Sequence, residues 1–258
     1  MTKHTREPAD PDLSRRLVAE SVGTFALVFV AVGGEAMATL APAEITSAAR
    51  AVAPGLMVGA LIYAIGDVSG AHLNPAVTAA FAMKRLFPIG QLPAYWLAQL
   101  VGALGAAVLV GLLFGGAVAA GVSTPHVSDA TALALEAVLT ALLLTVILGT
   151  ADRARIVGPD AALAVAATIS LCGLIAGPID GASMNPARSI APAIVAGRLG
   201  SVWIYVIGPF VGALIAVLVT SYLHGSGPRD QQAAEAAQGD AADSKPDSSS
   251  TPPSSVSG

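Results

Sequence analysis

The sequence predicts an all-helical membrane protein with six transmembrane helices and two half-helices, arranged as an inverted three-helix repeat. Composition is the first of three observations behind this fold class. Hydrophobic residues make up 54% of the 258 residues, charged residues make up 12%, and the mean hydropathy is +0.71. Since soluble domains carry about 25% charged residues, these charges are too few to cover a surface that faces water.

Six long apolar runs are the second observation. A helix of about 20 apolar residues crosses the hydrocarbon core of a bilayer, and such runs lie at about 15–38, 48–68, 91–115, 130–150, 160–177 and 201–223. They define a membrane domain at 15–223, which follows a polar N-terminal tail at 1–14. Residues 224–258 are rich in Ser, Pro and Asp, and this composition predicts a disordered C-terminal tail.

Two short segments that nearly repeat each other are the third observation. Residues 70–76 and 181–187 each begin with glycine and end in Asn-Pro-Ala. Pro75 and Pro186 suit the first turn of a helix, where the missing N–H has no intrahelical partner to lose. We therefore predict half-helices at about 75–85 and 186–196, each too short to cross a membrane alone.

The two halves of the chain also match outside these segments. Glu20 and Thr24 in the first span correspond to Glu136 and Thr140 in the fourth. The repeats cover about 15–115 and 130–223, with three spans and one half-helix in each. Because three is an odd number of spans, the second repeat must insert upside down relative to the first. The half-helices then enter from opposite faces and meet near the middle of the membrane.

Small residues recur in the spans and predict where helices pack closely. Gly55 and Gly59, like Gly208 and Gly212, have the four-residue spacing of helix contact faces in membranes. Chance could also produce such pairs in a chain with 27 glycines. The single cysteine, Cys172, excludes an intramolecular disulfide and a multi-cysteine metal site.

Positive residues predict the orientation of the chain. Cytoplasmic loops carry an excess of Lys and Arg, and one side of the predicted membrane domain holds most of them. These residues are Lys3, Arg6, Arg15, Arg16, Lys84, Arg85, Arg153 and Arg155, whereas the opposite loops hold few, such as Arg50 and Arg198. We expect both termini to be cytoplasmic, in a plasma or inner membrane.

Asn74 and Asn185 are the main candidates for contact with a solute. Each lies at the predicted N-terminus of a half-helix, where the helix dipole supplies about half a positive charge. Two such ends aimed at one point repel protons and metal cations, while the amide groups can hold the oxygen of a neutral molecule. The alternative is that each asparagine only caps its helix, and both roles are compatible.

The paired motifs resemble those of the major intrinsic proteins, the aquaporins and aquaglyceroporins. The resemblance covers about residues 14–223 and implies an aquaporin-like fold. It rests on the Asn-Pro-Ala motifs, on the Glu-x-x-x-Thr of spans 1 and 4, and on Arg188 after the second motif. The run at 176–189 is most similar to the plant nodulin-like branch, which passes glycerol and neutral metalloid acids.

The resemblance implies a role for each residue of the two motifs. Arg188 would narrow the path together with Pro54, Gly173 and Ala182, where a water-selective member would carry Phe and His; we therefore expect a wider opening. The motif residues themselves are Asn74, Pro75, Ala76, Asn185, Pro186 and Ala187. Carbonyls facing the solute would come from Gly70, Ala71, His72, Gly181, Ala182 and Ser183.

Glu20 and Glu136 are the predicted buried acids. By the resemblance they accept hydrogen bonds from the motif loops, which agrees with the need of irregular backbone at membrane depth for partners. A proton relay is the alternative. His72 is either a pH sensor or a side chain packed within its loop.

These observations predict a passive channel for water and small uncharged solutes such as glycerol, urea and neutral metalloid acids, which excludes protons and ions. The alternatives are a water-selective aquaporin and, less favoured, a secondary transporter, which also uses inverted repeats and broken helices. We expect no enzymatic activity, metal, cofactor or nucleic-acid partner. The partners would be the lipid bilayer and the solutes, and the resemblance implies a homotetramer.

Overall fold

The structure, a computed structural model, describes residues 11–150 and 161–224. The chain divides into two units, residues 1–220 and residues 221–258, and the second is described only at 221–224. The predicted C-terminal tail and most of the predicted N-terminal tail therefore lie outside the described residues. The same holds for Arg153 and Arg155, on which the predicted orientation partly depends.

Eight α-helices make up the described chain, and no strand occurs within the described ranges. Six are long and apolar enough to cross a membrane, and two are short. This confirms the predicted fold class. The helices are α1 (Leu13–Leu40), α2 (Ser47–Ser69), α3 (Pro75–Met83), α4 (Leu92–Phe114), α5 (Asp129–Thr150), α6 (Ala161–Asp180), α7 (Pro186–Val195) and α8 (Ile204–His224), with 3-10 turns at Ile89–Gln91 and Gly115–Gly121.

Polar caps set where the first two helices begin. Asp12 accepts a hydrogen bond from the Arg15 amide at 2.9 Å, and Thr46 accepts one from the Ala49 amide at 3.1 Å. Each satisfies one of the free N–H groups of a first turn. As a result α1 begins at Leu13, two residues before the predicted start at 15.

Helix α6 extends further than the sequence pattern predicts. The apolar run predicts an end at about 177, but the helix continues through Pro178 to Asp180. The Gly181 amide donates to the Gly177 carbonyl at 3.0 Å, which keeps a helical bond across the proline. The proline removes one hydrogen bond here without ending the helix.

Close contacts at glycines join the long helices in pairs, as the small-residue spacing predicts. A Cβ placed on Gly55 of α2 would lie 2.2 Å from Ser170 Oγ of α6, and one on Gly212 of α8 would lie 2.4 Å from the Ala137 carbonyl of α5. Both distances are below van der Waals contact, so only glycine allows these helix approaches. A Cβ on Gly102 of α4 would likewise lie 2.0 Å from the Ser21 carbonyl of α1.

The order of elements repeats once along the chain. Helices α1 to α4 comprise two spans, a half-helix and a third span, and α5 to α8 repeat that order. Glycine contacts join the first and last helix of each repeat, α1 with α4 and α5 with α8. The half-helices α3 and α7 are mostly buried between these long helices.

Candidate functional site: a cavity beside two motif loops

The two half-helices begin at the predicted Asn-Pro pairs. Asn74 Oδ1 accepts a hydrogen bond from the Ala76 amide at 2.9 Å. Asn185 Oδ1 accepts from the amides of Ala187 and Arg188 at 3.0 and 3.3 Å. Both asparagines therefore cap their helices through the side-chain oxygen, as one of the two compatible roles requires.

The amide nitrogens of the same asparagines connect the two repeats. Asn74 Nδ2 donates to the Met184 carbonyl at 2.8 Å, and Asn185 Nδ2 donates to the Leu73 carbonyl at 2.8 Å. The exchange is reciprocal, so the N-termini of α3 and α7 meet. Each NH₂ group carries two protons, and one of them is used here. Both asparagines also line the cavity.

The segments before the asparagines, residues 70–73 and 181–184, are called here the first and second motif loops. Each contains two non-glycine residues with left-handed backbone: Ala71 and Leu73 have φ of 46° and 53°, and Ala182 and Met184 have φ of 42° and 52°. Residues other than glycine rarely adopt such angles. Persistent strain of this kind requires that the surroundings hold the loop in place.

Glu20 holds the first motif loop. This fully buried carboxylate accepts hydrogen bonds from the amides of His72 and Leu73 at 2.9 and 2.7 Å. Ser69 Oγ and Gln99 Nε2 also donate to it, each at 2.8 Å. The irregular backbone at membrane depth thus finds the acceptors that it needs.

Glu136 holds the second motif loop in the same way. It is fully buried and accepts from the amides of Ser183 and Met184 at 2.6 and 2.7 Å. Asp180 accepts from the Ala182 amide at 2.9 Å. Its backbone carbonyl accepts from the Tyr205 hydroxyl at 2.7 Å.

One cavity of about 640 Å³ runs past both asparagines. Among the predicted site residues, those that line it are Asn74, Asn185, Pro54, Gly173, Ala182, Arg188, Ala71, His72, Gly181 and Ser183. The remaining motif residues, Gly70, Pro75, Ala76, Pro186 and Ala187, are buried and do not line it. Neither Glu20 nor Glu136 lines it, which counts against a proton relay along the solute path.

Arg188 reaches across to the connection between α4 and α5. Its Nη1 donates to the Gly121 carbonyl at 3.3 Å and to Ser123 Oγ at 2.5 Å. Sequence reasoning missed both partners. The available signal was the polar Ser123-Thr124 pair that follows the run of glycine, alanine and valine at 115–122.

A chain of serine hydroxyls continues from Arg188 to the second motif. Ser123 Oγ lies 2.7 Å from Ser189 Oγ, which donates to Ser183 Oγ at 2.6 Å. Ser183 Oγ in turn donates to the Asn185 carbonyl at 2.9 Å. The guanidinium is thereby linked to the cap of its own helix through hydroxyl groups only.

The other predicted filter positions contribute little side chain to the wall. Gly173 has no side chain and Ala182 has only a methyl group. Pro54, which lies inside α2, has only its short pyrrolidine ring. A Cβ on Gly173 would lie 3.0 Å from the Ala51 carbonyl, so α2 and α6 approach each other at this level. At these positions the cavity wall is therefore formed largely by backbone and by short side chains.

The His72 ring packs among aromatic side chains. Its Nδ1 lies 3.2 Å from Thr78 Oγ1, and the ring stacks on Phe81 with centroids 4.8 Å apart. Phe87 and Tyr95 complete the cluster. This geometry favours the packing alternative for His72 over a sensor that moves with pH.

A cavity that passes two half-helix N-termini at membrane depth, inside a bundle of six spanning helices, defines a membrane channel for small solutes. The family model described as "Major intrinsic protein" matches residues 7–220, and the chain belongs to this family. Members of the family are channels and not enzymes. The protein is therefore an integral membrane protein and a passive channel for water and small uncharged solutes.

Similar proteins agree with the predicted branch. Aquaporin NIP1-1 of Zea mays is 46% identical over 201 residues, which are 78% of this chain and 71% of the relative. Probable aquaporin NIP4-2 of Arabidopsis thaliana is 43% identical over 212 residues, 82% of this chain and 75% of the relative. These relatives confirm the nodulin-like branch.

A solved structure supports the fold. The X-ray structure of the aquaglyceroporin from Plasmodium falciparum matches with a TM-score of 0.75 and 24% sequence identity. The match covers 83% of this chain and 98% of that chain. At this identity the likeness concerns the arrangement of helices and not the choice of solute.

Proposed function

We propose that this channel passes solutes wider than water, namely glycerol, urea and undissociated metalloid acids, and that it excludes protons and ions. One observation carries the proposal. Three of the four filter positions, Pro54, Gly173 and Ala182, bring no long side chain to the cavity, so among these four only Arg188 does. A neutral acid fits because its hydroxyls can exchange hydrogen bonds with the guanidinium and with loop carbonyls.

The exclusion of ions is assigned to the meeting point of α3 and α7. The two helix N-termini each bring about half a positive charge, and they meet at Asn74 and Asn185. A cation or a proton would have to shed water beside this positive potential. A neutral molecule meets only the free amide protons, to which its oxygen can bind.

The carbonyls of the motif loops complete the proposed path. Ala71, His72, Gly181 and Ser183 line the cavity, and their carbonyls would bind hydroxyl or amide protons of a passing solute. Glu20 and Glu136 would act behind the loops, where they keep the strained backbone in place. The motif residues Pro75, Ala76, Pro186 and Ala187 would serve as the rigid first turns of the half-helices.

The proposed setting is a homotetramer in a plasma or inner membrane, with both termini cytoplasmic. Family resemblance implies the tetramer, and the excess of positive residues on one side implies the orientation. Large apolar side chains exposed on the outer helix faces, such as Leu112 at 79% and Leu163 at 74%, suit contact with lipid or with another copy. Mass measurement in detergent would test the tetramer, and accessibility of a terminal tag to protease would test the orientation.

Stopped-flow light scattering of proteoliposomes tests the solute range. We expect the wild type to pass water, glycerol, urea and boric acid. Pro54→Phe should suppress the three larger solutes while sparing water, because it puts a bulkier side chain into the wall of the cavity that Arg188 also lines. A wild type that passes water but none of the larger solutes would establish the water-selective alternative instead.

Leu56→Phe is the matched control for that variant. Leu56 lies on the same helix but is 60% exposed and does not line the cavity. Leu56→Phe should therefore leave the permeability to water and to each of the three larger solutes unchanged. Gly173→His is a poorer choice, since the new Cβ would press on the Ala51 carbonyl and disturb the packing of α2 on α6.

A further inference from the structure

A partly buried ion pair lies in the cavity wall, about one helical turn from the predicted filter position Pro54. Arg50 of α2 donates through Nη1 to Glu35 Oε2 of α1, and both side chains line the cavity. The side chains are 30% and 29% exposed, so both are partly buried. Neither residue belongs to the predicted site.

Helix geometry places this pair outside the filter. Arg50 precedes Pro54 by four residues on α2, and Glu35 follows Ala31 by four residues on α1; Pro54 and Ala31 also line the cavity. Residues four apart lie on the same helix face, about one turn from each other. A solute that enters where α1 and α2 are joined therefore meets Glu35 and Arg50 before it meets Arg188.

The atoms of the pair that do not contact each other provide a hydrogen-bond acceptor and a hydrogen-bond donor side by side. Throughout 11–150 and 161–224, the mutual contact is the only hydrogen bond of either side chain. Oε1 of Glu35 and Nη2 of Arg50 are left for molecules in the cavity. A solute with two hydroxyls can donate one proton to the carboxylate and accept from the guanidinium with the other oxygen. The pair is neutral overall, so it does not select for an ion.

From this arrangement we infer that Glu35 and Arg50 form an outer binding site for small neutral solutes that carry two or more hydroxyl groups. The site would collect such molecules at the mouth of the channel and pass them to Arg188. This inference rests on the proposed function, since it assigns a second site to the same class of solute. Water has one oxygen and gains less from a paired acceptor and donor, so its passage should depend little on the pair.

Uptake measurements on the full chain in proteoliposomes test the site. Initial rates of glycerol and boric acid uptake are measured against concentration, and water permeability is measured in the same vesicles. In Glu35→Gln and Arg50→Gln we expect the half-saturating concentration to rise roughly threefold or more. On the free-energy scale this is about half of a tenfold change in affinity. Uptake at low concentration should fall in proportion, with water permeability unchanged.

Further variants separate binding from mere support of α1 by α2. Arg50→Lys keeps the ion pair but loses the flat fork of donors, and it should shift half-saturation in the same direction by a smaller factor. Glu44→Gln, which changes an exposed carboxylate in the α1–α2 connection outside the cavity, should change nothing. If the glutamine variants lose water permeability and thermal stability together with solute uptake, the pair is only a brace and the inference is wrong.

The outcome for this site is distinguishable from the outcome for the proposed function. Solute uptake by the wild type with unchanged half-saturation in both glutamine variants overturns the outer site alone. If the wild type passes neither glycerol nor boric acid, the proposed solute range is wrong, and the site is measured by the slowing of water flux in the presence of boric acid. Saturable slowing that Glu35→Gln removes supports the site, and no slowing overturns it.

Discussion

The two motif loops have nearly the same backbone but are held with different strength. Glu20 accepts four hydrogen bonds, two from the first loop and two from the side chains of Ser69 and Gln99. Glu136 accepts two in the described part of the chain, both from the second loop. The carboxylate of the first repeat is thus better satisfied than its counterpart.

At two positions the repeats carry different residues, and these account for the different number of hydrogen bonds to Glu20 and Glu136. Gln99 lies four residues after Tyr95, and Pro209 lies four residues after Tyr205, so proline stands where the first repeat has an amide donor. Proline has neither a side-chain donor nor a backbone N–H. The corresponding bond to Glu136 is therefore absent.

The second of these positions is at the helix end before each loop. Ser69 and Asp180 both lie five residues before the motif asparagine, and each accepts a hydrogen bond from the amide two residues later. The serine hydroxyl also donates to Glu20, which an ionised aspartate cannot do for Glu136. The second loop instead has the hydroxyl chain to Arg188, so its support lies on the side of the cavity.

The largest expected effect comes from removal of the better satisfied carboxylate. Glu20→Gln places an amide beside backbone donors, and hydrogen bonds to charged groups contribute about 1.5–3 kcal/mol each. We expect it to lower the free energy of unfolding by about 3 kcal/mol or more, and Glu136→Gln by about half as much. Thermal unfolding in detergent, with the exposed Glu44→Gln as control, measures both.

The same variants separate support from proton transfer. Solute flux is measured beside the unfolding temperature. Wild-type stability with lost flux in Glu20→Gln would favour a relay, and equal destabilisation by the two variants would show that the additional bonds of Glu20 contribute nothing.

The sequence predicts residues that line the cavity where the two repeats agree, and it misses contacts where they differ. Asn74 and Asn185 are predictable because a polar motif that occurs at matching places in two apolar repeats indicates a solute path. Gln99 has no polar counterpart in the second repeat, and Ser123 acts from a connection far away in the sequence. Nothing in local composition indicates that these two meet Glu20 and Arg188, because such contacts depend on helix packing.

The Glu35–Arg50 pair was missed for a related reason. In the sequence Arg50 is only a positive residue in a sparsely charged loop, and its partner lies 15 residues earlier on another helix. The end of α6 at Asp180 lies beyond the predicted end at about 177, because a helical hydrogen bond from the Gly181 amide to the Gly177 carbonyl persists across Pro178.

The next effect concerns the asparagine at the less supported loop. Asn185→Asp keeps the capping oxygen but replaces the amide that donates to the Leu73 carbonyl, and it places a carboxylate at two positive helix ends. We expect flux of neutral solutes to fall about tenfold, a barrier change of about 1.4 kcal/mol, or cations to be admitted. Stopped-flow assays and ion-leak measurements on the same vesicles test this.

Asn74→Asp is the comparison for that variant. It should have a weaker effect on flux, since the first loop is fixed by Glu20 and by the residues around it. Unchanged flux and unchanged ion exclusion in a folded Asn185→Asp protein would contradict a solute-binding role for the pair.

A smaller effect on stability is expected when the first repeat loses the side-chain donor that the second repeat lacks. Gln99→Leu removes the bonds to Glu20 and to Thr78 Oγ1, and it should lower the free energy of unfolding by about 1–2 kcal/mol. Solute flux should stay near that of the wild type, because Gln99 does not line the cavity. A loss of flux without loss of stability would show that Gln99 acts on the solute path.

The smallest effect is expected from mercurial reagents, which react with the single thiol of the second repeat. Cys172 precedes the filter position Gly173, but it is only 5% exposed and does not line the cavity. A reagent in the cavity would have to displace packed side chains of α6 to reach the sulfur, so inhibition should be weak or slow. Water flux is followed over time after addition of mercury, with Cys172→Ser as control. Fast, complete block that disappears in the serine variant would mean that α6 presents this thiol to the solute path and that its orientation differs from the one described.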